Sequence, residues 1–303
     1  MDQTPNTRRG FSKFLRRPEQ NPIQLQTRDL EILKLVFDYR FIPSHHVTSL
    51  IGKSERNVLE RLKKLFHHGY LDRLADRRIR THSGSEKMVY AITRKAGDLL
   101  INEGGLDISK VDWTLKNRTS TERHIKHVLM VSKFRTALTL ATEAQKGIAL
   151  GKWKENRGSG RNVNPEISDT VKLELREGKE IKLRIVPDAF FSLEEEKTEM
   201  FFFLEADRAT MTAERFLRKL KAYLAWWKQG GSKRKLGAEH FRILTVTPSE
   251  KRRDNLREAA TKIKPGGMFW FASEKQYSVG TPESIFGSIW LNAKDDKQHS
   301  LLE

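Results

Sequence analysis

Apolar residues recur every three or four positions from Leu30 onward. Leu30, Leu33, Leu35, Val36 and Phe37 mark the buried side of a helix that Thr27 caps and that ends near Tyr39. Asp29 and Glu31 in its first turn suit the positive end of the helix dipole. Pro43 and Ser44 open a short second helix carrying Val47, Leu50 and Ile51, closed by Gly52. Ser54 caps a third. Its apolar side is Val58, Leu62, Leu65 and Phe66, its other sides hold Arg56, Asn57, Arg61, Lys63 and Lys64, and Gly69 stops it. The period then drops to two: Tyr70 and Leu71 begin one strand and Met88 to Ile92 form another. Between them lie Arg73, Arg77, Arg78, Arg80, Lys87 and the turn-forming Ser83-Gly84-Ser85. Three short helices followed by a basic hairpin predict a winged helix-turn-helix over residues 25–110, with one more helix from Arg94 to Glu103.

Beyond a connector from Lys110 to Thr119, the pattern changes character. A long helix is expected over Thr121 to Glu143, then strands over Val171 to Leu175, Ile181 to Phe191 and Met200 to Leu204. A helix from Thr212 to Trp227, a strand from Phe241 to Val246, a helix from Ser249 to Ile263 and a strand from Met268 to Ala272 follow. Helices interleaved with strands imply a mixed-sheet α/β domain over residues 120–275. Residues 276–303 read as a C-terminal tail. Residues 1–24 hold Arg8, Arg9, Lys13, Arg16 and Arg17 among three prolines, the pattern of a flexible basic arm.

Charge gives these elements a partner. The 57 Lys and Arg against 39 Asp and Glu leave a net +18, and residues 1–95 alone hold 20 basic and 10 acidic side chains. Positive charge is thus densest where the expected shape would set a helix in a major groove and a wing on the flanking backbone, so double-stranded DNA is the expected ligand. The chain has no cysteine, which excludes disulfides, thiolate metal sites and cysteine nucleophiles. Its longest apolar run is Ala222 to Trp227, too short to cross a bilayer. No membrane partner and a cytoplasmic location are expected.

Candidate chemistry lies in the second domain. Asp188 falls within one expected strand and Glu205 at the end of the next, followed by Asp207. Adjacent antiparallel strands would bring Asp188 and Glu205 to one sheet edge. Carboxylates there can bind a hard divalent cation, Mg²⁺ or Mn²⁺, which polarises a phosphodiester and activates water. Equally, a carboxylate behind the apolar run Phe201 to Leu204 needs a cationic partner simply to be buried, and Arg208 or Lys219 can supply it. His124 and His127 are three apart on a helix but lack an obvious third ligand. Trp226-Trp227 and Phe269-Trp270-Phe271 are the aromatic runs able to stack on single-stranded bases or to fill a core.

The runs VPDAFF and FFFLEADRATMTAERFLRKLKAY, together with the winged helix before them, resemble the replication-relaxation family of bacterial plasmids and mobile elements over roughly residues 25–250. The second domain in turn is similar to the PD-(D/E)XK nuclease fold. That resemblance implies Asp188 and Glu205 as catalytic metal ligands, with Asp207 standing where a lysine is usual and Lys219 on the following helix as its displaced substitute. It implies a replication or mobilisation factor that binds duplex DNA and works with other replication or mobilisation proteins. A metal-dependent endonuclease or nickase and a winged-helix transcriptional regulator are the alternatives. Strand nicking through tyrosine would look first to Tyr223, four residues from Lys219.

Overall fold

The computed structural model describes residues 13–17, 22–74, 88–103, 113–157, 163–174 and 180–303. The chain divides into two compact units, residues 1–132 and 133–303.

In the first unit, α3 (Glu55–His67) buries its expected apolar face and α2 (Ser44–Ile51) buries Val47. α1 (Thr27–Tyr39) buries Ile32, Leu33, Val36 and Tyr39 and leaves the expected Leu30, Leu35 and Phe37 half-buried. Ser54 holds the N-cap position of α3 without a side-chain cap hydrogen bond. Ile32, Leu33 and Val36 of α1 meet Val47 of α2 and Val58, Leu62, Leu65 and Phe66 of α3 in one core. Thr27 is the first residue of α1, not its cap; Gln26 takes that place, with its N–H on Asp29 Oδ2 at 2.8 Å. A short β1 (Ile42–Pro43), not expected from the pattern, joins β2 (Leu71–Arg73) and β3 (Val89–Ile92) in an antiparallel sheet of order β1-β3-β2. The wing expected between β2 and β3, with Arg77, Arg78, Arg80 and Lys87, falls outside the described residues. Thr93 caps α4 (Arg94–Asn102) through the Ala96 N–H, as the spacing predicts.

A segment read as a flexible arm and one read as a connector both contribute to this unit. Within the basic arm, Arg16 donates to the carbonyls of Phe66 and Leu71, each at 3.0 Å, and pairs with Asp72. Those carbonyls lie at the end of α3 and the start of β2, and the Phe66 carbonyl also accepts the Gly69 N–H at 3.1 Å. The expected linker contains α5 (Trp113–Thr119), whose buried Asn117 accepts from Arg40 at 2.7 Å and donates to the Ile92 carbonyl at 2.8 Å. The following helix α6 (Glu122–Ala144) starts in the first unit because Ile125 and Val128 pack with Phe41, Leu74, Val89 and Ala91.

The second unit is a seven-stranded mixed sheet of order β12-β11-β10-β9-β8-β7-β4. Its strands are β4 (Ile148–Glu155), β7 (Ala189–Glu195), β8 (Thr198–Ala206), β9 (Arg242–Thr247), β10 (Phe269–Ser273), β11 (Trp290–Asn292) and β12 (Gln298–His299). β8, β9 and β10 run parallel and the other pairings are antiparallel. A separate hairpin joins β5 (Asp169–Glu174) and β6 (Glu180–Ile185). α7 (Ala213–Lys228), α8 (Gly231–Leu236) and α9 (Glu250–Ala260) complete the unit. Phe216, Leu220, Tyr223 and Trp226 of α7 share a core with Phe190, Phe203, Ile243, Phe269 and Phe271 of the sheet. Gly231 is required where α8 passes α7, since a Cβ there would lie 2.1 Å from Trp226 Nε1.

Two expectations fail here and one strand was not foreseen, each for a physical reason. The single strand expected over Ile181 to Phe191 is two, because Pro187 has no N–H for a ladder and the chain changes sheets between β6 and β7. β4 escaped notice because it is an edge strand with lysines and Gly151, which lack the alternation of a half-buried strand. Residues 276–303 are no tail: β11 and β12 extend the sheet, and Ile285, Phe286, Trp290 and Leu301 are buried. Strands of two or three residues are too short for a period to register.

The third helix also holds a correction. Arg61, expected to face DNA, instead donates through Nε to Asp29 Oδ1 at 2.7 Å and pairs again through its terminal nitrogen. Asp29 is fully buried, and such a carboxylate requires a partner. Removing one member of a buried pair strands the other charge. Arg61→Ala should therefore cost about 3–5 kcal/mol, read as a lower urea midpoint by circular dichroism, and an unchanged midpoint would contradict the pairing.

Candidate functional site

β8 runs through the core as Phe202, Phe203 and Leu204, all buried, and delivers Glu205 at 4% exposure. Thr212 caps α7 through the Arg215 N–H at 3.3 Å and so fixes where that helix begins over the sheet. Lys219 and Tyr223 are one turn apart and reach the same carboxylate. Lys219 Nζ donates to Glu205 Oε2, and the Tyr223 hydroxyl donates to Oε1 at 2.5 Å. A carboxylate buried with a cationic partner, the plainer of the two sequence readings, corresponds to this geometry.

Asp188 sits immediately before β7, not within a strand. Its N–H donates to the Leu204 carbonyl at 3.0 Å, and its Oδ2 accepts the Ala206 N–H at 2.7 Å. Its backbone and its carboxylate thus hold the residues on either side of Glu205. Burial is the main force on Glu205, pushing its pKa up to about 7; Lys219 opposes that rise and Asp188 adds to it. Burial disfavours the charged Lys219, yet Glu205 and Asp188 together leave it raised. Burial first, then the negative charge of Glu205, drives the Tyr223 hydroxyl well above the ordinary phenol range.

Glu155, missed from the sequence, belongs to the same neighbourhood. It ends β4 opposite Ala189, the residue after Asp188. Burial raises its pKa, Arg157 and Arg135 at 3.8 and 4.0 Å oppose the rise, and Asp188 reinforces it. Only the pairing of β4 with β7 brings it there, and the weak pattern of β4 hid that pairing.

Asp207 does not join this group as a third carboxylate. Arg252 of α9 takes both its oxygens, at 2.7 and 3.2 Å, and the Ala209 N–H donates to it at 3.0 Å. Among the described residues, no group of three or more His, Asp or Glu side chains is placed to hold a metal ion. His124 instead stacks edge-on against Phe41, and burial, Arg40 and His127 hold its pKa down. Each Glu205 oxygen already takes one donor, from Lys219 or Tyr223, and Asp207 is taken by Arg252, so a hard cation here would have to share or displace these partners. As arranged, the described side chains do not form a metal centre. Tyr223 is fully buried, and burial with the charge of Glu205 raises its pKa, so it presents no exposed phenolate to a phosphodiester.

The expected DNA-contacting residues divide in the same way. Arg56, Asn57, Lys63 and Lys64 are exposed on α3, next to Leu59 at 39% exposure and with Glu55 and Glu60 on the same surface. Arg61 is locked to Asp29. Arg73 lies over the rings of Phe66 at 4.2 Å and Tyr90 at 5.5 Å and donates to the Lys13 carbonyl at 2.8 Å, so it clamps the arm to β2. Trp226 is buried with its indole N–H on Asp169 at 2.7 Å, and Phe269, Trp270 and Phe271 are buried in β10, so none is a stacking platform.

A helical first unit with an exposed polar helix, and a mixed-sheet second unit with a buried acid–lysine–tyrosine network, define a two-part α/β protein. Residues 33–239, more than half of the 303, match replication-relaxation, and the chain belongs to that family, one associated with replication or relaxation of plasmids and mobile elements. Comparison with curated proteins and with solved structures gives no match. No helix among the described residues is long and apolar enough to cross a membrane.

The raised pKa of Glu205 has a definite sign. The folded chain binds the Glu205 proton more tightly than the unfolded chain, so this group's contribution is complete below pH about 4.5 and is lost as pH rises through about 7. Glu205→Gln removes that loss. Its stability relative to the parent should climb by on the order of 1–3 kcal/mol between pH 5 and 8, measured as urea midpoints across the range. A pH-independent difference would show that the carboxylate does not titrate there.

Proposed function

We propose that the protein is a DNA-binding replication or mobilisation factor of a plasmid or integrated mobile element. Its first unit acts as a winged helix that sets α3 in the major groove, and its second unit is a nuclease-like platform that holds partners rather than cutting DNA. The exposed face of α3 carries this reading. Arg56, Asn57, Lys63 and Lys64 stand in solvent on a helix whose other side is anchored by Val58, Leu62, Leu65 and Phe66. Arginine and asparagine can pair with base edges, and lysines with phosphates. Family membership supports a DNA role at the same level.

The rival reading is an endonuclease in which Asp188 and Glu205 hold Mg²⁺ or Mn²⁺ and Lys219 stabilises negative charge. The closed pairing of Glu205 with Lys219 and Tyr223 favours the platform. A winged-helix transcriptional regulator would use the same α3 face and differ in where on the DNA it sits.

Combined Arg56→Ala, Lys63→Ala and Lys64→Ala should weaken duplex binding. It should also flatten the plot of log affinity against log salt by about 0.9 for each phosphate that the variant no longer neutralises. Fluorescence anisotropy on a labelled duplex from about 50 to about 300 mM KCl, a range in which counterion release is resolved, reads both effects. An unchanged affinity and slope would remove α3 from the interface.

A further inference from the structure

The second unit carries its own concentration of positive charge. From residue 213 to residue 236 the sequence has eight Lys and Arg and a single acid, Glu214. Lys219 is spent on Glu205. The other seven, Arg215, Arg218, Lys221, Lys228, Lys233, Arg234 and Lys235, are all exposed. Glu214 answers only Arg218, at 3.6 Å between side chains that are 87% and 60% exposed. Lys233 meets Glu239 at 3.0 Å, also in solvent. Arg215, Lys221 and Lys228 have no acidic partner among the described residues.

Helix α9 provides the contrast. It is as rich in charge, but it mixes signs and each of its arginines has an acidic partner: Arg252 pairs with buried Asp207, Arg253 with Asp254, and Arg257 with Asp296, the last two acids being exposed. A run of charge that merely solvates a helix mixes signs in this way. Like charges spaced three and four residues apart on α7 repel one another and cost helix stability, a cost that a polyanion lying along the helix removes. The phase of α7 is fixed by Lys219 and Tyr223 on Glu205 and by Phe216, Leu220 and Trp226 in the core, so Arg218, Lys221 and Lys228 are held together on the opposite side. No aromatic ring is offered there: Trp226 is buried, and the indole N–H of half-buried Trp227 donates to the Glu239 carbonyl at 3.0 Å.

We infer that the outer face of α7 with α8 is a second nucleic-acid surface, one that grips the phosphates of duplex DNA without reading its bases. The choice of DNA as the polyanion rests on the reading of the chain as a DNA-binding factor, while the surface itself does not depend on α3.

The test uses the full chain and a duplex of arbitrary sequence about 30 base pairs long, roughly three helical turns. Three proteins are compared by affinity against KCl: the parent, the α3 triple variant, and Arg218→Ala with Lys221→Ala and Lys228→Ala. All three α7 sites are exposed, so circular dichroism should show the parental fold. The single Lys228→Glu, at the last residue of α7, serves as a second variant with a smaller change to the helix. A salt slope shallower by about 2 to 3 in the α7 variant, additive with the change in the α3 variant, is the expected result. A parental slope in both the α7 variant and Lys228→Glu overturns this inference and leaves the α3 reading intact. A reduced slope in the α7 variant with a parental slope in the α3 variant upholds the surface and overturns α3.

Discussion

A carboxylate placed at the end of an apolar strand governs the second unit. Glu205 follows Phe202, Phe203 and Leu204 into the core, and burying it without partners would cost several kcal/mol. Helix α7 answers with an ammonium and a phenol four residues apart, which meet the two oxygens of the acid. That demand sets the rotation of α7 about its axis. Once Lys219 and Tyr223 face the sheet, Phe216 and Leu220 enter the core and the remaining cations of the helix are turned to solvent. The same network that neutralises an acid therefore creates the basic outer face. In the first unit the buried Asp29–Arg61 pair plays a parallel part, joining the start of α1 to the middle of α3.

Much of this organisation could be read from the residues alone. The three helices of the first unit, the long α6, and the order β8, α7, β9, α9, β10 follow from apolar spacing, because each element buries a broad face over at least one and a half turns or four strand positions. Thr93 caps α4 as its spacing suggests, whereas Thr212 and Ser249, expected as the first residues of their helices, turn out to be the caps before them. What escaped was set by neighbours distant in sequence. β4, β11 and β12 exist because a preformed sheet offers them an edge, and Arg16 is fastened by carbonyls fifty or more residues away.

The candidate site shows the same limit. Asp188, Glu205 and Lys219 could be named from the strand pattern and the resemblance, and electrostatics couples them in the fold. Their hydrogen bonds could not be read, and those bonds decide the chemistry. Asp207 and Arg61 looked available in one dimension and are engaged in three, by Arg252 and Asp29. Glu155 joins only through the pairing of β4 with β7.

The proposal that the second unit holds DNA or partners rather than cutting turns on whether Glu205 stays committed to Lys219 and Tyr223 when DNA and divalent cations are present. Supercoiled plasmid incubated with the full chain and either Mg²⁺ or Mn²⁺, then deproteinised and resolved on agarose, tests this most directly. Plasmid that remains supercoiled, from reactions in which a mobility shift before deproteinisation proves binding, is the predicted result. Conversion to open-circular or linear DNA that disappears in Glu205→Gln would contradict it.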